Sequence, residues 1–459
     1  MRFDVSALSA AITGPVLLPD DDGFAAECAT FNLLSTVRPA VAIGATSAAD
    51  VRAAIGFAAE RDMPVMVLTT GHQTVGPAEG AVLINTSRMA GVTVDPSRQV
   101  ARVEGGTRFH ELLRETDRYD LAPLSGTSPT VGVAGYHLGG GASPILGRKY
   151  GYAADHVRTA EIVTADGRMR RVTAEEDHDL FWALRGGKGN YGVVTALEFD
   201  LFPVAVVYGG GLFFAGHNAA TVLHMWRAWV TGLPTDTNSS VAFLRLPPLP
   251  QVPEPLRGRF VLHVRFASLR PQEEAEILLA PMRAAAGTVM DTVGDLRYRE
   301  TPTIYMDPPA PIPSIARAAA LREVTAETVN ALLAQLGPDS RSRLGFVELR
   351  PLGRALGEAP VMPNAVAGRS AHSSLFASGR GGDPELTQIV EEQLTAVFQA
   401  VAPWAQDEIM PNLLGERQGT TREKVRAAYG PERYDRLAEI KSKYDPANMF
   451  RVNHNIVPA

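Results

Sequence analysis

Residues 126–141, Gly126-Thr127-Ser128-Pro129-Thr130-Val131-Gly132-Val133-Ala134-Gly135-Tyr136-His137-Leu138-Gly139-Gly140-Gly141, decide how the chain reads. Glycine loses more conformational freedom on folding than any other residue, so a run this dense in an apolar setting is costly. Its natural justification is a backbone that lies close against a flat ligand. The spacing is not Gly-x-Gly-x-x-Gly, and no acidic ribose ligand follows about twenty residues on, which disfavours a Rossmann nucleotide site.

Upstream of this run, AVAIGA from Ala40 reads as a strand, Ser47 as a helix N-cap, Val51, Ile55 and Ala59 as the apolar stripe of a helix, and MPVMVL as a second strand. This is a β-α-β unit. The loop Leu68-Thr69-Thr70-Gly71-His72-Gln73-Thr74 follows its second strand directly. Small and hydroxylated residues there allow successive backbone N–H groups to converge on an anion, and a diphosphate would suit them. Short alternating segments, AVLINTS, GVTVDPS and ARVEGG, come next, each closed by turn residues. A second α+β block runs from HELLRET through the glycine run and HVRTAEIVTADG to YGVVTALEFDLFPV.

Near Pro203 the pattern changes. SVAFLRL, RFVLHVRFA and LGFVELRPLG alternate with period two, and a helix is expected from Gln272 to Ala285. An antiparallel sheet with helices on one face, hence a second domain, is the expectation, and the fold class is α+β. Proline-dense stretches at 247–255 and 308–313 read as loops, because proline cannot donate to a ladder. RLAEIKSKYDPANMF reads as a helix ended by an Asp-Pro turn, and the tail RVNHNIVP as a docked segment.

The chain has 459 residues, enough for two cores. Its 44 basic and 50 acidic residues give a net charge of -6 with no basic stripe, so nucleic acid is not an expected partner. A single cysteine, Cys28, can form neither an internal disulfide nor a zinc cluster, and no metal site is expected. The N-terminus lacks the charged and apolar regions of a secretion signal, and no stretch reaches membrane-spanning length without charges. A cytoplasmic protein is expected, and abundant Ala, Gly, Pro and Arg hint at a GC-rich bacterial genome.

Two further segments complete the pattern: Arg185-Gly186-Gly187-Lys188-Gly189-Asn190-Tyr191-Gly192-Val193-Val194-Thr195 and Tyr444-Asp445-Pro446-Ala447-Asn448-Met449-Phe450. With the loop at 68–74 and the run at 126–141, they resemble the berberine-bridge-enzyme-like family of FAD-linked oxidases, from about Asn32 to Pro458. The resemblance implies an FAD-binding region of the PCMH type over 1–202 with its core at about 33–203. It also implies a substrate domain over 203–412 and a segment over 413–459 that returns to the FAD-binding region. His72 stands where the family's histidine bonds to the 8α-methyl carbon of the flavin. The bland alternative is a surface-loop histidine. Thr69, Thr70, Gly71, Gln73, Thr74, Gly126, Ser128, Thr130, Val131, Gly132, Gly135, His137, Val194 and Asn453 are expected to line the FAD.

Departures from the family pattern carry information too. Many relatives add a cysteinyl bond to flavin C6, but Ser128 occupies that position here, so a single covalent bond is expected. Thr69 and Thr70 replace glycines that usually precede the histidine, and Asn453-His454-Asn455 replaces the family's Asn-Gln-Asn ending. Tyr136 falls where plant relatives carry a histidine at the flavin's pyrimidine edge, and it reads equally as packing. Val131 matches the position that keeps oxygen's approach to flavin C4a open. The resemblance therefore implies oxidation of a small organic substrate, such as a secondary metabolite or carbohydrate, with dioxygen giving hydrogen peroxide. A flavin-containing cyclase or isomerase, and a flavin-binding protein without catalysis, are the alternatives. A monomer or homodimer is compatible with the sequence.

Hydride transfer also needs a group that removes a proton. The family's Tyr-x-Asn-Tyr segment aligns with Met410-Pro411-Asn412-Leu413, which has neither tyrosine. Alternation groups Phe243 with Arg245, His263 with Arg265, and Phe346 with Glu348 and Arg350 on common strand faces. Tyr136, Glu348 and His263 are the candidate catalytic residues, and an arginine could hold an acidic or phenolate substrate; Tyr298, Tyr305 and His372 are further possibilities. The preferred reading of those strand faces is nevertheless that they are solvated, opposite the helices.

Overall fold

Ser47 opens the first long helix as its position predicts: its hydroxyl accepts the Asp50 N–H at 3.2 Å, and the helix runs Ala48–Ala59. The computed structural model describes residues 3–459. The strands Val41–Gly44 and Val65–Leu68 on either side of this helix do not touch. Val82–Asn85 lies between them and pairs in parallel with both, and Val16–Leu17 closes one edge. Helix residues Val51, Ala54, Ile55 and Ala58 cover one face of this sheet with Ile43, Val65 and Ile84, while Ala42, Met66 and Leu83 line a second small core with Cys28. Burial on both faces explains why these strands read as continuous apolar runs.

A five-stranded antiparallel sheet follows, ordered Val92–Asp95, Val100–Glu104, Val193–Asp200, Val157–Val163 and Met169–Val172. A third sheet has nine strands, antiparallel throughout, drawn from between Val206 and Gln406. Four helices, Ala219–Val230, Gln272–Arg283, Ala326–Leu336 and Pro384–Val401, bury Trp226, Leu279, Leu332 and Leu394 against Leu212, Val241, Phe243, Leu262, Val264, Val347 and Leu349. Thus Phe243 faces the helices, and Arg245 on the same strip caps one of them by donating to the Leu336 and Gly337 carbonyls. That pair is removed from the candidate active face. The α+β fold with two domains holds, with the second sheet backed by helices as expected.

The helix Pro431–Tyr444 returns to the first half of the chain, where Tyr434 and Leu437 join the core around Leu180 and Leu184. Beyond it, Met449 and Phe450 enter the core of the first sheet, and the Met449 carbonyl accepts the Val65 N–H at 2.9 Å. The turn is held by a fully buried pair. The Asp445 carboxylate accepts the Met449 and Phe450 N–H groups at 2.7 and 2.9 Å, and Lys441 Nζ lies 3.6 Å from it while donating to the Phe450 carbonyl and Asn455 Oδ1. Burial pushes Lys441 down to about 8 and Asp445 upward. In both groups desolvation outweighs the pairing across 3.6 Å.

Removing one member of such a pair leaves a buried charge without its partner. Lys441→Met is therefore expected to cost about 3–5 kcal/mol in urea unfolding. A loss below 1 kcal/mol would contradict this account of the docked tail.

Candidate active site

Gly71 shows why the loop after Val65–Leu68 has its composition. Its φ is +66°, and a Cβ there would stand 2.6 Å from Thr30 Cα, so only glycine fits. The tight approach brings Phe31 onto His72, with ring centroids 3.8 Å apart and planes 17° from parallel. From the other side, His72 Nε2 is hydrogen-bonded to Thr130 Oγ1 at 2.8 Å, and Thr130 Oγ1 to Ser128 Oγ at 2.9 Å. The loop at 68–74 and the run at 126–141, 58 residues apart in sequence at this contact, are thereby joined. A Cβ on Gly132 would lie 3.2 Å from Thr69 Cγ2, so the two segments pack closely at this crossing. Burial, then the positive charge of Arg108, pulls the His72 imidazole down to about 4. It is neutral at pH 7 and keeps a lone pair.

The rest of the loop is packed rather than solvated. Thr69 Oγ1 meets Thr86 Oγ1 at 2.7 Å, the Thr70 carbonyl accepts the Phe31 N–H, and the buried Thr74 donates its N–H to Glu416 Oε1 at 3.3 Å. Gln73 donates to the Pro411 carbonyl and receives the ammonium of Lys188. Lys188 has a left-handed backbone with φ +56°, and burial lowers it to about 8. Neither Phe31 nor Lys188 stood out in the sequence; a lone lysine inside a glycine run was the available signal for the second.

Within residues 126–141 the segment Val133–Leu138 is a single short helix. Gly135 is exposed on it, with nothing within 4 Å of where a Cβ would be, so this face is open to a ligand. Gly126 lies against Tyr136, 3.0 Å from where its Cβ would be. Val131 is half-buried beside this core, and Val194 is buried in it. His137 turns the opposite way. Its Nδ1 is bonded to the Val133 carbonyl at 2.9 Å, its ring packs on Phe199, and burial lowers it to about 4. Its side chain is packed in the core, about 100° round the helix from that of Tyr136. Asn412 was missed. Its Oδ1 accepts the Gly141 N–H at 2.8 Å and its Nδ2 donates to the Gly135 carbonyl, so it staples the glycine run from the far end of the chain.

The strand face opposite the helices is buried, not solvated. His263 is 0% exposed, Arg265 2% and Glu348 4%. The Glu348 carboxylate accepts from Ser240 at 2.7 Å and from Arg265 and Arg350 at 2.8 Å each. Burial would push it up, yet Arg350, Arg265 and the hydroxyl hold it below its ordinary range. His263 stacks on Phe213 at 4.0 Å and accepts from Arg265 Nε through Nδ1 at 3.3 Å, and burial drives it well below its usual value. Its Nε2 has no partner and points at Gly211. The solvated reading failed because this face is covered by the first half of the chain: Tyr298 donates to the Pro123 carbonyl at 2.7 Å, and Arg148 to the Leu233 and Thr237 carbonyls. His372 lies apart, bonded to Ser373.

Several buried polar atoms have no partner, among them Tyr136 Oη, Arg350 Nε and Asn453 Oδ1. Asn453 Nδ2 donates to the Gly189 and Phe450 carbonyls, which fixes that oxygen in place. Orphaned groups of this kind call for a bound partner. An open glycine face and these orphaned atoms fit a flat cofactor. Among the described residues no cluster with metal-ligand chemistry is found, and no helix is long and apolar enough to cross a membrane.

Neutral buried imidazoles make a pH prediction. His72 and His137 lie at about 4 when folded against about 6.5 unfolded, so between those values the unfolded chain binds protons that the native state refuses. Their contribution to stability is full above 6.5 and is lost as pH falls towards 4. Urea midpoints are expected to decline over that window; a flat profile would contradict it.

Comparison with known proteins agrees with this geometry. Residues 39–173 match the FAD binding domain family, and residues 412–457 the family described as berberine and berberine like. The (R)-6-hydroxynicotine oxidase of Paenarthrobacter nicotinovorans is 27% identical over 98% of this chain and 97% of its own length. Among solved structures, 6-hydroxy-D-nicotine oxidase from Arthrobacter nicotinovorans superposes with a TM-score of 0.82 at 24% identity, covering 98% of each chain. Xylooligosaccharide oxidase from Myceliophthora thermophila gives 0.84 at 20% identity, also over 98% of each chain. The two family models and the full-length similarity to an FAD-linked oxidase support placing the chain with the berberine-bridge-enzyme-like FAD-linked oxidases.

Proposed function

We propose that this enzyme holds FAD through one covalent bond from His72 and removes hydride from a small organic substrate, a secondary metabolite or carbohydrate, with dioxygen as the electron acceptor. The observation that carries the reading is the chain His72–Thr130–Ser128, which puts the histidine and the position of the family's cysteine at one edge of the glycine face. Neutral at pH 7, His72 is bonded to Thr130 through Nε2, which leaves Nδ1 for the flavin bond. Serine cannot supply a thioether, so one bond is expected. Bound FAD supplies the hydride acceptor and, on reoxidation by dioxygen, hydrogen peroxide.

The residues divide the work. Thr69, Thr70, Gly71, Gln73 and Thr74 would hold the diphosphate, and Gly126, Ser128, Thr130, Val131, Gly132 and Gly135 the ring, with Val194 and Asn453 completing the site. Val131 leaves oxygen its approach. Nicotine-derived and oligosaccharide substrates of the similar oxidases support a small polar substrate. Of the three candidate groups, Glu348 is the one already ionised on the buried face and is proposed as the proton acceptor. Tyr136, its phenol held protonated by burial, donates a hydrogen bond instead. His263 positions Arg265, whose Nε it accepts.

Visible spectra, intact mass and acid precipitation of the wild type and His72→Ala test the bond: a yellow pellet carrying one added FAD, lost in the variant, is expected. A colourless wild-type pellet would sink the covalent claim. Anaerobic bleaching by substrate, with peroxide formed on readmitting air, is expected; product without bleaching would make the reaction a non-redox one. Glu348→Gln is expected to slow flavin reduction about 10²–10⁴-fold while the protein stays yellow. An unchanged reduction rate would remove Glu348 from the chemistry.

A further inference from the structure

The buried face carries more positive charge than its carboxylate can neutralise. Arg265 and Arg350 both bind Glu348, so one guanidinium is in excess. The two arginines are not equivalent. Each nitrogen of Arg265 has a partner, in His263, Glu348 and the Tyr305 carbonyl. Arg350 donates to Glu348 and keeps Nε buried without a partner. It lines a small cleft of about 10 Å³ with Ser143, Asn238, Ser240 and Arg148, a second arginine whose Nε is buried and unpartnered. No carboxylate lines that cavity. On its other side, the Arg350 charge acts on the Tyr136 phenol, whose hydroxyl is also without a partner.

The Arg350 side chain is largely buried, at 21% exposed, and a guanidinium that its neighbours do not neutralise gains from an anion beside it. Arginine's planar fork is also the side chain best matched to a carboxylate. We propose that Arg350, with Arg148 behind it and the Tyr136 hydroxyl beside it, binds the carboxylate of the substrate, so that the enzyme oxidises an acidic compound. The inference rests on the reading of this face as the substrate side of the flavin. A neutral sugar or amine would leave the extra guanidinium unpaired, and a cationic substrate would be repelled by it.

Benzoate and benzamide, equal in shape and different in charge, are suitable probes. Titrations of the purified protein followed by calorimetry, which needs no flavin, and by the visible spectrum, which does, separate the two claims. Benzoate is expected to bind at least about tenfold tighter than benzamide and to perturb the flavin bands, since a charge-assisted contact is worth that much. Arg350→Met is expected to weaken benzoate about tenfold or more and Arg350→Lys by less, with benzamide unchanged. Arg350→Met leaves Glu348 paired with Arg265, and the wild-type comparison decides the matter even if that variant does not fold. Equal binding of the two probes, benzoate binding untouched by Arg350→Met, or heat without any spectral change in a yellow protein would each overturn the inference. A colourless protein that still prefers benzoate through Arg350 would keep the anion site and count against the flavin reading instead.

Discussion

Everything in this site depends on two loops approaching until no Cβ fits between them and their neighbours. Gly71 takes a left-handed conformation against Thr30, Gly132 lies against Thr69, and the hydroxyls of Thr130 and Ser128 carry the contact to His72. Such packing excludes water, and so it determines the chemistry of the imidazole as well as its position. A histidine in the same sequence loop, left in solvent, would titrate near neutrality. Here it stays neutral, stacked on Phe31.

The second sheet shows how one strand can serve two environments. Alternate residues of Phe260–Ser268 face the helices as Leu262, Val264 and Phe266, and the intervening His263 and Arg265 face the first half of the molecule. Placing charges on a buried face is expensive and pays only when their hydrogen bonds are met. Glu348, His263 and the Tyr305 carbonyl meet those of Arg265, and Ser240 donates to Glu348. Among those left unmet are His263 Nε2, Arg350 Nε and the Tyr136 hydroxyl.

The C-terminal segment makes that closure possible. Asn412 holds the glycine run through its side-chain amide, and the buried Lys441–Asp445 turn sends Met449 and Phe450 into the first core, with Asn453 following beside Gly189. A site assembled from residues 69–74, 126–141, 348–350, 412 and 453 has no local source of rigidity. Its order comes from three sheets packed around it.

Sequence by itself determined the elements with strong local signals. The Ser47 cap, the β-α-β unit, the antiparallel character of the second domain and the identity of the glycine face follow from capping chemistry, apolar periodicity and the cost of glycine, all of which act within a few residues. The strand Val206–Ala215 escaped notice because Gly209, Gly210 and Gly211 interrupt its alternation. Tertiary structure alone decided the rest. Whether His137 meets a ligand or a core depends on helical phase, whether His263 and Glu348 are wet or dry depends on what covers the sheet, and which arginine is left unsatisfied depends on partners hundreds of residues away. Burial and partner geometry are long-range quantities, and local sequence does not contain them.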